Sequence, residues 1–291
     1  MITLLNHPVF YVENGVTYPP FKNGLYLEEY MFDYMYKTER VHDKSGRLYL
    51  PILWTNFQIK PWFFQQKEEM QQILNQYICE NPCEKGYFVV VQHDDGPMLW
   101  LPHNTVIYGA CSGNIPIPLV YQDQNKILIQ TPRKSFAEKS ILCSFIGTLT
   151  HNVRRTILDK LYGNSSFIFY TNNSWTDNVS KDNQDFFLKY TVDSKFALAP
   201  RGYGRSSFRF FEIYKLGTIP IYIWDDIEWL PYKELIDYSK ICISLNISNI
   251  GELESILLNI DEVKYAEMWA EYDKIKHMFE VEYIPQYVLN M

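Results

Sequence analysis

Between residues 141 and 245, short runs of β-branched and aromatic residues alternate with stretches of helical periodicity, and that alternation most narrows what the chain can fold into. Runs at 141–146, 167–170, 196–199, 219–223 and 241–245 read as strands, with helices expected at 152–161, 182–189 and 206–216. Strands that alternate with helices form a parallel sheet covered on both faces. Ligands then lie at the carboxyl ends of the strands. The fold class is therefore α/β.

The first half carries a weaker form of the same pattern. Met70, Ile73, Leu74, Tyr77 and Ile78 recur at three- and four-residue spacing, which predicts a helix over 65–79 ended by Asn81-Pro82. A strand at 87–91 runs into a polar turn, His93-Asp94-Asp95-Gly96-Pro97, and further strands are expected at 106–110 and 117–121. Polar stretches at 123–125 and 131–139 separate the two patterns. They divide the chain into an N-terminal domain over 1–130 and a second domain over 131–261. A helix over 262–279 opens a terminal segment, 262–291, expected to pack back on the N-terminal domain.

Composition removes several function classes. Basic and acidic side chains number 27 and 34, giving a formal charge of −7 without like-charged blocks, so a nucleic-acid-binding face is disfavoured. The five cysteines, of which only Cys79 and Cys83 are close in sequence, read as reduced thiols, and no second Cys/His pair follows at zinc spacing. The first residues lack a basic n-region and a sustained apolar run, so neither signal peptide nor membrane span is expected. A cytoplasmic protein is the corresponding expectation.

The chemistry concentrates in 195–222, KFALAPRGYGRSSFRFFEIYKLGTIPIY. A buried strand leads into the turn Pro200-Arg201-Gly202-Tyr203-Gly204-Arg205, and Ser206 and Ser207 open a helix. A helix start leaves N–H groups unpaired and carries partial positive charge, which suits an anion. Arg201, Arg205 and Arg209 add guanidinium forks matched to phosphate oxygens. Glu212, three residues beyond Arg209, shares its helix face and offers an acceptor for two ribose hydroxyls; the plainer role for the pair is a surface salt bridge. There is no Gly-x-Gly-x-x-Gly turn and no loop ending in Gly-Lys-Ser/Thr, which sets dehydrogenases and P-loop kinases aside.

This stretch resembles the signature of the exostosin family of glycosyltransferases: an apolar strand, Pro-Arg-Gly, a Ser-rich helix start, Arg-x-x-Glu, then Leu-Gly-x-Ile-Pro. Cys143-Ser144-Phe145-Ile146-Gly147-Thr148 with Arg154 and Arg155 is similar to the first strand and loop of the family's donor-binding domain. The turn at His93–Pro97 is similar to a His-Asp-x-Gly-Pro turn of its N-terminal domain. The resemblance implies a GT-B architecture, two Rossmann-like domains facing a cleft. It also implies an inverting transfer from a UDP-sugar to a hydroxyl of a glycan acceptor, with xylose favoured as the sugar by analogy alone. It assigns donor binding to Arg201, Gly202, Arg209 and Glu212, with Arg154 or Arg155 at the diphosphate and Ser194, Ser206 and Ser207 as further candidates. Because the sequence shows no anchor, it looks more like compact, soluble exostosin-like enzymes of large DNA viruses, which would place it in the host cytoplasm.

An inverting transfer needs a base for the acceptor hydroxyl and charge stabilisation for the departing diphosphate. Asp94 is the first candidate base, with Asp95 and His93 also open; the plainer role for Asp94 is a turn cap. Asp225 and Asp226 follow a strand and invite a divalent cation, but a cap or solvated turn is the commoner use of such a pair, and no metal or other cofactor is expected. Trp54 and Trp100 are candidates for stacking on sugars, with core packing the plainer role. The competing reading from another class is a catalytically silent carbohydrate- or nucleotide-sugar-binding protein of the same fold.

Overall fold

The structure, a computed structural model, describes residues 8–291, which form two compact units. Unit 1 takes the described residues through Val16 together with Gly24–Gln122 and Glu280–Met291. Its sheet is built from β1 (Leu48–Tyr49), β2 (Tyr87–Val91), β3 (Thr105–Gly109) and β4 (Ile115–Pro116), all parallel and adjacent in chain order. Helices α1 (Leu27–Thr38), α2 (Trp54–Gln58) and α3 (Phe63–Glu80) accompany it. The apolar stripe of α3 does what its spacing predicts: Phe63, Met70, Leu74 and Tyr77 are buried against Trp54, Phe57, Val89 and Val91. Helix α1 was not expected, although Leu27, Met31 and Met35 recur at four-residue spacing and are all buried.

The strand expected at 117–121 is absent. Pro116 and Pro118 remove two ladder donors, and pairing stops after the two residues of β4. The segment beyond is buried as irregular chain, with a single antiparallel bridge between Tyr26 and Tyr121. The short return from β3 to β4 is possible because Gly109 and Gly113 carry no side chains. A Cβ on Gly109 would lie 1.8 Å from the Ser112 carbonyl oxygen, and Gly113 has a φ of +149° against Ile107.

Unit 2 comprises Thr17–Asn23 and Asp123–Phe279. Five parallel strands, β5 (Ile141–Thr148), β6 (Phe167–Asn172), β7 (Ser194–Pro200), β8 (Ile219–Trp224) and β9 (Ile243–Asn246), lie in the order β6-β5-β7-β8-β9. Before, between and after them run α4 (Ile127–Gln130), α5 (Asn152–Leu161), α6 (Lys181–Asp193), α7 (Phe208–Lys215), α8 (Leu253–Leu258) and α9 (Glu262–Ile275). The strands and helices expected from sequence between 141 and 245 all form, with ends shifted by a few residues.

The strand order matters for function. From β5 the chain steps outward to β6, then returns past β5 to lay down β7 on its other side. At that reversal the connections after β5 and β7 leave in opposite directions and open a crevice at the strands' carboxyl ends. Burial follows chemistry: every residue of β7 except Lys195 is buried, as a central parallel strand requires.

The terminal segment divides. Helix α9 and the 3₁₀ turn Lys276–Phe279 belong to unit 2, where Tyr272 stacks on Tyr214 with ring centroids 3.9 Å apart and planes 7° apart. Glu280–Met291, with its helix Ile284–Asn290, belongs to unit 1. Among the described residues no helix is long and apolar enough to cross a membrane.

Candidate functional site

The crevice of unit 2 is a cleft of about 830 Å³, open solvent included, whose lining includes Gly147, Thr148, Arg154, Arg209 and Glu212. These residues come from three separate places: the end of β5, the first turn of α5 and the first turns of α7. Two arginines hold the arrangement together, and neither sits on the surface as a decoration.

Arg154 is 6% exposed and works as a strut. Its guanidinium donates to the carbonyls of Thr148 at 2.9 Å, Arg201 at 3.0 Å and Pro200 at 3.3 Å, tying the loop after β5 to the loop after β7. These carbonyls terminate two strands with no further ladder partner, so a planar fork with several donors satisfies them together. Tyr222 supports the second loop from behind, its hydroxyl donating to the Arg205 carbonyl at 2.6 Å. The Gly202 N–H closes the same loop on the Ser206 carbonyl at 3.1 Å.

Arg209 crosses from α7 to β5. Its Nε donates to the Ile146 carbonyl at 2.6 Å, and the guanidinium carbon lies 5.5 Å from the Phe187 ring centroid. That approach depends on Gly147, where a Cβ would lie 3.1 Å from the Arg209 guanidinium. With Nε committed, the two Nη groups are the part of Arg209 available to the cleft. Glu212, one turn further along α7 and only 6% exposed, lines the same cleft. The surface salt bridge considered for this pair is not what a buried carboxylate on a cleft wall amounts to.

Arg201 and Arg205 turn the other way. Arg201 donates through Nη1 to Asp225 at 2.6 Å and to Asp226 at 2.8 Å, and Arg205 donates through Nε to Asp226 at 2.8 Å. Burial raises the Asp226 carboxyl, yet the Ile227 N–H and both guanidinium groups outweigh it and hold the carboxyl below its ordinary value. Asp225 and Asp226 are thus the counter-charges of the arginine turn. Nearby, His151 caps α5 by accepting the Val153 N–H on Nδ1 at 3.2 Å, and burial together with the Arg201 cation lowers its pKa. Accepting that N–H on Nδ1 places the proton of the neutral ring on Nε2.

The remaining sequence candidates fall at varied distances from this cleft. Ser206 and Ser207 are buried in the turn before α7, and Ser207 is its cap residue without a side-chain capping bond. Arg155 is exposed on α5 and does not line the cleft. Ser194 is brought nowhere near it. It begins β7, about 20 Å of extended chain from Pro200, and is fully buried, its hydroxyl engaged with Ser144 and the Tyr190 carbonyl.

In unit 1 the turn expected at 93–97 follows β2. Gly96 N–H donates to the His93 carbonyl at 3.0 Å, and the buried Gln58 clamps the turn, donating to the Gly96 carbonyl and accepting the Met98 N–H. Asp94 and Asp95 are exposed, while His93 is half-buried and accepts the Asp95 N–H on Nδ1 at 3.2 Å. Burial lowers the His93 pKa, the neighbouring aspartates opposing it. Beneath the turn lies Glu28, which sequence reading missed. Its carboxylate accepts the Gln92 and Thr55 N–H groups and the Thr55 hydroxyl, and burial pushes its pKa up to about 7. A glutamate in the first turn of an unexpected helix gave no distinct signal. Trp54 is fully buried in the core of unit 1, whereas Trp100 is 82% exposed.

The protein is thus of the α/β class, with a parallel sheet whose cleft at the strand reversal is lined by two arginines and a buried glutamate. Comparison with known proteins carries this further. The exostosin GT47 domain matches residues 103–260, and the chain belongs to the exostosin family of glycosyltransferases. It is 29% identical over 83 residues to a probable glycosyltransferase of Arabidopsis thaliana, covering 28% of this chain and 17% of that protein. It is 26% identical over 127 residues to an exostosin-1 homolog of Caenorhabditis elegans, covering 39% of this chain and 33% of that protein. The matched stretches therefore span a third or less of these relatives.

Proposed function

We propose that the chain is an inverting GT-B glycosyltransferase in which unit 2 binds a UDP-sugar and unit 1 provides the acceptor site and the base. The observation that carries this is the delivery of Arg209 and Glu212, from successive turns of α7, to the cleft at the β5/β7 reversal. The Nη groups of Arg209 would hold the diphosphate, and Glu212 the ribose hydroxyls. Arg154 shapes the cleft, its donors being spent on strand-end carbonyls. Arg201 acts at the diphosphate only by exchanging aspartate for phosphate.

The same geometry supports transfer without a divalent cation. Both carboxylates that a metal would use after β8, Asp225 and Asp226, already neutralise Arg201 and Arg205. Activity is expected to survive a chelator, measured as sugar transfer with EDTA against added manganese. For the base, the Asp95 N–H occupies the His93 Nδ1, leaving its other nitrogen protonated. That supports an aspartate of the turn, Asp94 first, as the group that accepts the acceptor proton. The sugar is open, xylose being favoured by analogy.

Calorimetric titration with UDP and UDP-sugars, paired with a transfer assay, tests this reading. Arg209→Ala should weaken UDP binding on the order of 30- to 100-fold, the cost of a lost charge-assisted fork. Asp94→Asn should leave UDP binding within about twofold of wild type while turnover falls at least on the order of 100-fold. Unchanged turnover would remove Asp94 as the base, and absence of nucleotide binding by the wild-type protein would overturn the donor assignment. Gly147→Ala should push the Arg209 guanidinium off the Ile146 carbonyl and weaken UDP about fivefold, roughly 1 kcal/mol, with little change in Tm; equal affinity would show that Arg209 reaches its ligand without that bond.

A further inference from the structure

The charged groups that line the cleft are Arg154, Arg209 and Glu212. The rest of its lining is uncharged and rich in aromatic rings, and it is built in part by a segment remote in sequence: Thr17–Asn23 belongs to unit 2, apart from the chain on either side of it. This strap is bonded in place. The Thr17 hydroxyl donates to the Asp177 carbonyl at 2.8 Å, Asn23 pairs with Asp123 and receives the Asn125 N–H, and Phe21 packs on Phe187 with centroids 5.9 Å apart. It sets the Tyr18 ring against Trp175 at 5.8 Å and against Phe208 at 6.0 Å, both near edge-on. The strap lies outside residues 103–260, the stretch that matches the family.

Trp175 lines the cleft and is 54% exposed. A tryptophan held by an edge contact, with a ring face left to solvent, is a platform awaiting an apolar face. Around it, Asn172 and Asn183 line the cleft, and among the described residues their side-chain amides make no hydrogen bond within the protein. Flat apolar faces ringed by hydroxyls describe a sugar. Tyr18 and Trp175 lie too close for a third ring to enter between them, which leaves an outer ring face for a ligand to stack on.

We infer that the Tyr18–Trp175 wall with Asn172 and Asn183 is the subsite for the sugar ring of the donor, the wall stacking on the ring and the two amides determining which sugar is accepted. The inference rests on the donor assignment above: with ribose at Glu212 and diphosphate at Arg209, the uncharged wall that reaches Phe208, next to Arg209, is left for the sugar. Discrimination among sugars then comes from the amides, because a site built to hydrogen-bond a hydroxyl rejects an analogue that lacks it more strongly than an apolar wall does.

The test is titration of the wild-type chain, Trp175→Ala, Trp175→Phe and Asn183→Ala with UDP and with the UDP-sugar that wild type binds most tightly. Trp175 is half exposed, so its replacement leaves the core intact. The expected result is UDP affinity within about twofold of wild type in all variants, with UDP-sugar affinity about tenfold weaker in Trp175→Ala and largely restored in Trp175→Phe. Asn183→Ala should shift the rank order of UDP-sugars. Parallel weakening of UDP and UDP-sugar would assign the wall to the base and overturn the inference; unchanged affinity for both would make the wall structural and overturn it too. Both outcomes leave the donor site standing. Failure of the wild-type protein to bind any nucleotide would remove the donor site and the subsite together.

Discussion

Replacing Arg154 by alanine is expected to cost about 3 kcal/mol of folding stability and to abolish measurable UDP binding, although Arg154 is assigned no direct contact with the nucleotide. The side chain is almost wholly buried and spends donors on three carbonyls at the ends of β5 and β7. Alanine would leave those carbonyls without the charged partner that replaces water. The penalty for an unmet buried acceptor exceeds the net worth of the bond that was lost. The two loops would then part, and with them the Gly147 and Arg209 geometry on which the cleft depends. Arg154→Lys should recover less than half of the loss, because one ammonium does not reproduce a planar fork reaching three acceptors. Urea denaturation gives the stability and calorimetry the affinity. Full UDP affinity in Arg154→Ala would show that the loops hold their shape without the strut.

Glu28 is expected to make folding strongly pH-dependent in a range where surface carboxylates no longer titrate. Burial raises its pKa from 4.5 to about 7 in the folded chain, against the opposing pull of the Gln92 and Thr55 donors. A carboxyl that binds its proton more tightly when folded stabilises the fold fully below the unfolded value, near pH 4.5. That contribution is lost as pH rises through about 7. The loss amounts to about 3 kcal/mol between those limits. Denaturation midpoints for wild type should therefore decline from pH 5 to pH 8 relative to Glu28→Gln, whose curve lacks this slope. Comparing slopes sets aside the fixed cost of placing an amide among three donors. Parallel curves would mean that the three donors cancel the effect of burial and that Glu28 stays ionised throughout.

Much of unit 2 was legible in the sequence because its signals are local. Strands that are buried on both faces must be apolar along their whole length, and the helices between them must carry a stripe; residues 141–245 show both, and the elements formed there. The Arg209–Glu212 pair was found for the same reason, since three-residue spacing fixes a shared helix face wherever the helix lies. The strand at 117–121 misled because its apolar residues are buried without pairing, and prolines 116 and 118 already argued against a ladder.

What sequence alone determined, then, is the class of fold, the helix that carries the cleft-lining pair and the family signature around it. Only the tertiary structure decided how each arginine is used. Arg154, Arg201, Arg205 and Arg209 have the same chemistry on paper, yet one is a buried strut, two are neutralised by aspartates more than twenty residues away, and one keeps donors for the cleft. The same holds for Ser194, placed at the wrong end of its strand, and for Tyr18, brought to the cleft from over 120 residues away by the strap. The physical reason is that a guanidinium or a ring acts on whatever lies within a few ångströms. In a parallel sheet those neighbours come from strands and loops far apart in the chain, set by the order in which the strands are laid down.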